Sequence, residues 1–325
     1  MSVIAERPEA AVRAGGGAPG TGVAQPRRRG RGGYDAARRQ ALAGYLFVAP
    51  AMVIFFVFTL LPVAIALYLS FTNYDVFTKM DWIGFDNYQF TLLEDELFRT
   101  ALVNTVVYTV WSVPLSMAIG LGAALLLNQK LRGLGLYRTI YYVPVVTSMV
   151  AVAMIWLQLF DPLYGVISNA LEAIGIKGID WLGDPNLAMP SIIAVSVWKV
   201  IGWNMLIYLA GLQGIPDYLK EAAAIDGANR WQTFWKITLP LLQPTTFFIF
   251  VTSLIGAFQV FDVVYVMTGG GPANATTTLV HQIYNAAFKA LDMGYAAAMS
   301  FVLFGIILVV SLFSMRATRG EVSYQ

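Results

Sequence analysis

Six stretches of this chain are apolar over membrane-spanning lengths: residues 42–71, 101–127, 137–160, 190–212, 241–267 and 295–315. A helix needs about 20 residues to cross a bilayer. Lipid offers no partner to a free backbone group, so each stretch must be helical. Hydrophobic residues make up 58% of the chain and charged residues 12%, against about 25% charged in a soluble domain. A large soluble core could share that composition, but not its gathering into runs of this length. The reading is an all-α, polytopic membrane protein with six transmembrane helices. Pro62, Pro114, Pro144 and Pro244 interrupt or open these spans, which neighbouring helices tolerate.

Residues 1–41 read differently. Gly15, Gly16, Gly17, Gly20 and Gly22 lead into Arg27, Arg28, Arg29 and Arg31 with few apolar residues between. Such a segment buries too little surface to fold alone and reads as a disordered basic tail. The apolar run after it is too long for a signal-peptide core. Basic residues recur on alternate connections. Arg38 and Arg39 lie in the tail, Lys130, Arg132 and Arg138 in the second connection, Lys220, Arg230 and Lys236 in the fourth, and Arg316 and Arg319 at the end. The first and third connections are acidic or nearly neutral. Lys and Arg mark cytoplasmic loops, so both termini, including the short tail 317–325, are expected in the cytoplasm.

Several chemistries are excluded. With no cysteine there is no disulfide, thiolate metal site or cysteine nucleophile. His281 is the sole histidine and has no carboxylate set around it, so no metal site and no catalytic residue is expected. No GxxxxGK[ST] occurs, so the chain is not expected to hydrolyse ATP. Gly15, Gly17 and Gly20 fit GxGxxG, but without the strand and helix a dinucleotide site needs. Nothing points to nucleic acid.

The polar fourth connection, residues 213–240, carries the most specific pattern. Asp217 is placed to cap a short helix. Ala222, Ala223 and Ala224 favour helix with little bulk, Gly227 permits a sharp turn, and Asp226 is placed to cap a second helix bearing Trp231, Phe234, Trp235 and Thr238. Glu221-Ala222-Ala223, then Asp226-Gly227-Ala228, then Phe234, then Leu239-Pro240 resembles the EAA loop of permease subunits in binding-protein-dependent ABC importers. The segment 261–272, ending Thr268-Gly269-Gly270-Gly271-Pro272, with Thr276, Thr277 and Thr278 beyond it, resembles the carbohydrate branch of that family. Pro144, the run 209–216 and the stretch 284–288 fit as well, and the likeness covers about residues 43–316.

The resemblance implies a type I ABC importer permease fold over 42–316 whose loop seats on a partner ATPase. It implies a second homologous permease, two ATP-binding subunits that hold ATP and Mg, an extracytoplasmic solute-binding protein, and a sugar substrate, a di- or oligosaccharide. No cofactor is implied on this chain. In the maltose-type subunit the sugar lies against the third, fourth and fifth spans. By motif register its contacts fall on Ser196, Lys199, Val200 and Trp203, and on Ser253, Gly256 and Ala257; Val200 and Ala257 add no hydrogen-bonding group. The long extracytoplasmic insertion of that subunit is absent.

The residues themselves point to the same spans. Charges at bilayer depth need a partner or a wet cavity, and Lys199 and Asp262 stand out. An ion pair between them is the simplest account, with a substrate contact the other. Trp203, Asn204 and Gln259 add an aromatic face and hydrogen-bonding groups suited to a sugar. The alternative substrate is glycerol 3-phosphate, which calls for more Arg or Lys than the lone Lys199.

Overall fold

The computed structural model describes residues 32–77, 79–129, 133–176 and 178–318. Among them there is no β-strand, and they divide into two compact units, one up to residue 61 and one from residue 62. In the first unit the helix begins at Gly32 rather than near residue 42. Ala36, Ala37, Arg38, Arg39, Gln40 and Ala41 are good helix formers, so the end of the segment read as disordered is helical. The rest of that tail, the C-terminal tail from Arg319, and Lys130, Arg132 and Lys177 lie outside the described residues.

The membrane-length helices are α1 (Gln40–Leu69), α2 (Glu96–Leu127), α6 (Pro185–Gln213) and α12 (Met293–Thr318). The third and fifth spans are bent pairs. α3 (Leu134–Val146) meets α4 (Met149–Leu159) at 98°, and α8 (Arg230–Leu241) meets α9 (Gln243–Phe258) at 63°. Between spans lie α5 (Val166–Ala173), α7 (Asp217–Ile225), α10 (Asp262–Met267) and α11 (Leu279–Tyr284).

Two spans read as continuous are therefore broken. The fifth does not run on to residue 267: α9 stops at Phe258, and Asp262 starts a separate short helix. A carboxylate favours a helix N-terminus, and the Val260 carbonyl accepts the Thr278 hydroxyl at 3.0 Å. The third span breaks at Thr147 and Ser148, three residues beyond Pro144.

In the second unit, α2 and α6 form the longest helix–helix contact. Apolar side chains of α2, α4, α6, α9 and α10 pack into one cluster around Tyr108, Ile192, Val195 and Val264. A second cluster joins α2 to α9 and α12 through Phe98, Phe258 and Met299. Where α3 crosses α6, a side chain at Gly202 would run into the Tyr141 carbonyl. Small residues let membrane helices approach this closely. At one end of α2 the Asp95 carboxylate accepts the Leu97 N–H at 2.8 Å, and the Tyr295 hydroxyl donates to it from α12. Asn104 of α2 donates to the Asn274 and Thr277 carbonyls, each at 2.9 Å. These contacts fix α9, α6 and α2 around the site described next.

Candidate functional site

The residues expected to carry function fall in two regions. The first is a cavity of two adjoining chambers. One, of about 280 Å³, is lined by Tyr108, Ser112 and Ser116 of α2, Ser196 and Trp203 of α6, and Thr252, Ser253 and Gly256 of α9. The other, of about 260 Å³, shares Tyr108, Ser196 and Gly256 and adds Lys199, Gln259 and Asp262. Ser196, Lys199, Val200 and Trp203 recur at three- and four-residue steps, which puts them on one face of α6.

Nine of the ten residues expected at the cavity, Val200 and Ala257 among them, thus meet at one place. Asn204 does not. It is one residue past Trp203 and so turned about 100° away. It is fully buried against α2 beside Gly120. Sequence reasoning missed Tyr108, Ser112, Ser116 and Thr252. The signal was present: Thr105, Thr109, Ser112 and Ser116 are spaced as a hydroxyl stripe along one side of α2.

The expected ion pair between Lys199 and Asp262 is not formed. The Lys199 ammonium donates to the carbonyls of Pro144 at 3.1 Å, Val145 at 3.3 Å and Thr147 at 2.9 Å. Breaking the third span strands carbonyls at the end of α3 and just beyond it, and three ammonium donors cap three of these. The Thr147 hydroxyl serves a fourth, on Val143, at 2.9 Å. The cation thus satisfies backbone that lipid could not, and Asp262 stands at the second chamber without it.

The second region is the loop 213–240. α7 ends with the Ala228 N–H bonded to the Ala223 carbonyl at 2.9 Å and the Gly227 N–H to that of Ala224 at 3.1 Å. This is a Schellman closure, which needs a left-handed residue, and Gly227 supplies it at φ +80°. The caps differ from expectation. Pro216 precedes α7 and Asp217 is its first helical residue. Asp226 closes α7 rather than opening α8. Asn229 caps α8, accepting the Gln232 N–H at 2.8 Å while the Gln232 side chain accepts the Asn229 N–H at 2.9 Å. A carboxylate at 226 lies one turn too early for that reciprocal pair. Glu221, Ala222, Asp226 and Gly227 are exposed, Ala223 is buried, and Ala228, Phe234 and Leu239 are half-buried. Trp231, Phe234 and Trp235 form one aromatic cluster with centroids 5.5–6.1 Å apart. Tyr218, Ile225 and Trp231 are 66%, 86% and 69% exposed, so two short helices present apolar side chains at the molecule's surface.

Residues 116–318 match the model of the binding-protein-dependent transport system inner membrane component. The chain belongs to that family. The permease is 42% identical over 283 residues to the lactose transport system permease protein LacF of Rhizobium radiobacter, covering 85% of this chain and 94% of that one. It is 39% identical over 282 residues to the sn-glycerol-3-phosphate transport system permease protein UgpA of Agrobacterium fabrum, covering 86% and 96%. A crystal structure of a bacterial ABC transporter that imports the acidic polysaccharide alginate superposes with a TM-score of 0.79 at 28% identity, over 89% of this permease and 99% of that chain. Another structure of the alginate transporter is in complex with an alginate pentasaccharide-bound periplasmic protein. The permease therefore has the six-span, type I importer fold, and is a multi-pass membrane transport subunit.

Proposed function

We propose that this permease passes an uncharged sugar, a di- or oligosaccharide, through the cytoplasmic membrane of a prokaryote. The observation that carries the reading is the pairing of hydroxyl-lined chambers and the Trp203 face with a cation that is already engaged. Among the described residues Lys199 is the one Lys or Arg lining either chamber, and its ammonium is bound to three carbonyls. Sugar hydroxyls pair with neutral donors and acceptors, whereas a phosphate or carboxylate calls for Arg or Lys.

The likeness to a glycerol-3-phosphate permease supports the second reading, and the lack of a free cation among the described cavity residues speaks against it. In the full importer a second, homologous permease completes the pathway, an external solute-binding protein delivers the sugar, and two ATP-binding subunits hold ATP and Mg. Both termini and the loop 213–240 lie on the cytoplasmic side. The loop docks on the ATPase through Glu221, Tyr218, Ile225 and Trp231, so that ATP-driven closure alternates access to the cavity. Initial uptake of radiolabelled lactose, maltose and raffinose, set beside glycerol 3-phosphate in cells carrying the whole transporter, tests this. Uptake of a glycoside and not of the phosphate is expected; uptake of glycerol 3-phosphate alone would establish the second reading.

A further inference from the structure

The loop 213–240 divides by charge. α7 and its closing residue carry Asp217, Glu221 and Asp226 against Lys220. Lys220 pairs with Asp217 at 3.3 Å, so Glu221 and Asp226 set the sign of that helix. α8 is the opposite: Arg230 and Lys236 are its only charged residues, and both are exposed. Trp235, beside Lys236, is 52% exposed and meets Phe234 edge-on with ring centroids 5.5 Å apart. Two helices of opposite charge on one loop suit two different partners.

The bend at the end of α8 says where it lies. α9 runs Gln243–Phe258, about 24 Å of helix, which falls short of a hydrocarbon core about 30 Å thick. The end of α8 therefore completes the crossing. α8 departs from α9 at 63°. With α9 near the bilayer normal, the length of α8, about 18 Å, climbs only about 8 Å. Most of α8 thus lies along the headgroup layer instead of standing out in water. A Trp at that level keeps its ring in apolar material and its N–H in the wet layer. A helix lying in the interface carries Lys and Arg on its polar side.

We propose that α8 is an interfacial helix that docks on anionic lipid headgroups, with Trp235 seated at the top of the acyl chains and Arg230 and Lys236 on the phosphates. Trp231, at the end nearer α7, is left to the ATPase. This goes beyond the reading above, which gives the loop one partner, and it depends on neither the sugar nor the ATPase. The occupant follows from the charge. An anionic surface attracts α8 and repels Glu221 and Asp226, which keeps α7 clear of the membrane for a protein partner. A helix held in the headgroup layer passes a displacement of α7 on to α9, whose Thr252, Ser253 and Gly256 line the cavity.

The test uses the complete transporter in lipid nanodiscs, with phosphatidylcholine and phosphatidylglycerol brominated on their acyl chains as the probes. The emission lost on Trp235→Phe substitution reports that one ring, and the share of it quenched by each lipid reports what surrounds it. Brominated phosphatidylglycerol is expected to quench it more strongly than brominated phosphatidylcholine at equal content. Arg230→Gln and Lys236→Gln should each lower that preference on the order of fivefold. Lys289→Gln, a basic residue on the connection between α11 and α12, should leave it unchanged. Trp235→Phe keeps an aromatic ring in place, and Trp235→Tyr serves equally if the first variant does not assemble. Equal quenching by the two lipids would leave no headgroup recognition and overturn the proposal. Quenching by aqueous iodide in place of lipid would put Trp235 in water, and protection from both would put it beneath the second permease or the ATPase. Either result would overturn the lipid contact. Loss of the ATPase subunits from the wild-type transporter would count against the docking reading alone, since the quenching is still readable.

Discussion

Lys199 concentrates the physics of the cavity in one side chain. Its ammonium is expensive inside a membrane unless it is paired, and the carbonyls at the end of α3 are equally costly unless they are bonded. Each answers the other. Lys199→Met should leave three carbonyls without a side-chain donor, at about 1–3 kcal/mol for each that stays buried, and should lower the melting temperature and recovery of the purified transporter. Asp262→Asn removes a charge that makes no ion pair with Lys199. Asp262→Asn should therefore not rescue Lys199→Met, and the double variant should melt no higher than the single one. A double variant much healthier than Lys199→Met alone would restore the ion pair and displace the capping role. The sequence showed that Lys199 needed a partner, because a buried charge always does. It did not show which, because stranded carbonyls have no residue type of their own. They exist only where the third span breaks, and Pro144 marks that neighbourhood without fixing the broken peptide.

At the scale of the element, the loop 213–240 was the most legible part of the chain. Its two helices, their glycine turn and their exposed apolar residues all follow from residue types. The caps were less so, since Asp226 and Asn229 are both good capping residues. The choice between them rests on Gln232, which completes the reciprocal pair only with Asn229. Gly227 is the point of greatest leverage. At φ +80° an alanine costs about 1 kcal/mol or slightly more. Proline, with its φ held near −65°, also deletes the N–H that bonds the Ala224 carbonyl. Gly227→Pro should insert normally while losing co-purification of the ATPase subunits and sugar-stimulated ATP hydrolysis in reconstituted membranes; Gly227→Ala should lose only part of each. Normal association and stimulation in the proline variant would reduce the loop to a connector.

At the scale of the molecule, six spans were legible because lipid permits so few backbone solutions, but their straightness was not. The third and fifth spans break where side chains from elsewhere in the fold, Lys199 and Thr278, take up the freed carbonyls, and such long-range rescue leaves no local trace. The same scale carries the question of orientation, which rests on where Lys and Arg are concentrated. The chain has no cysteine, so single cysteines can be introduced without first removing any. Phe77 and Tyr164, on the first and third connections, are 80% and 84% exposed, and Ile225, on the loop 213–240, is 86% exposed, so each change disturbs little packing. Phe77→Cys and Tyr164→Cys should react with a membrane-impermeant maleimide in intact cells. Ile225→Cys should react only after the membrane is opened. The labelling pattern fixes which side of the membrane the loop proposed to dock on an ATPase lies on. If Ile225→Cys were labelled in intact cells while the other two were protected, the loop would lie outside, out of reach of any ATP-hydrolysing partner. The ATPase-docking role proposed for Glu221, Tyr218, Ile225 and Trp231 would then fall, while the geometry of the cavity would stand.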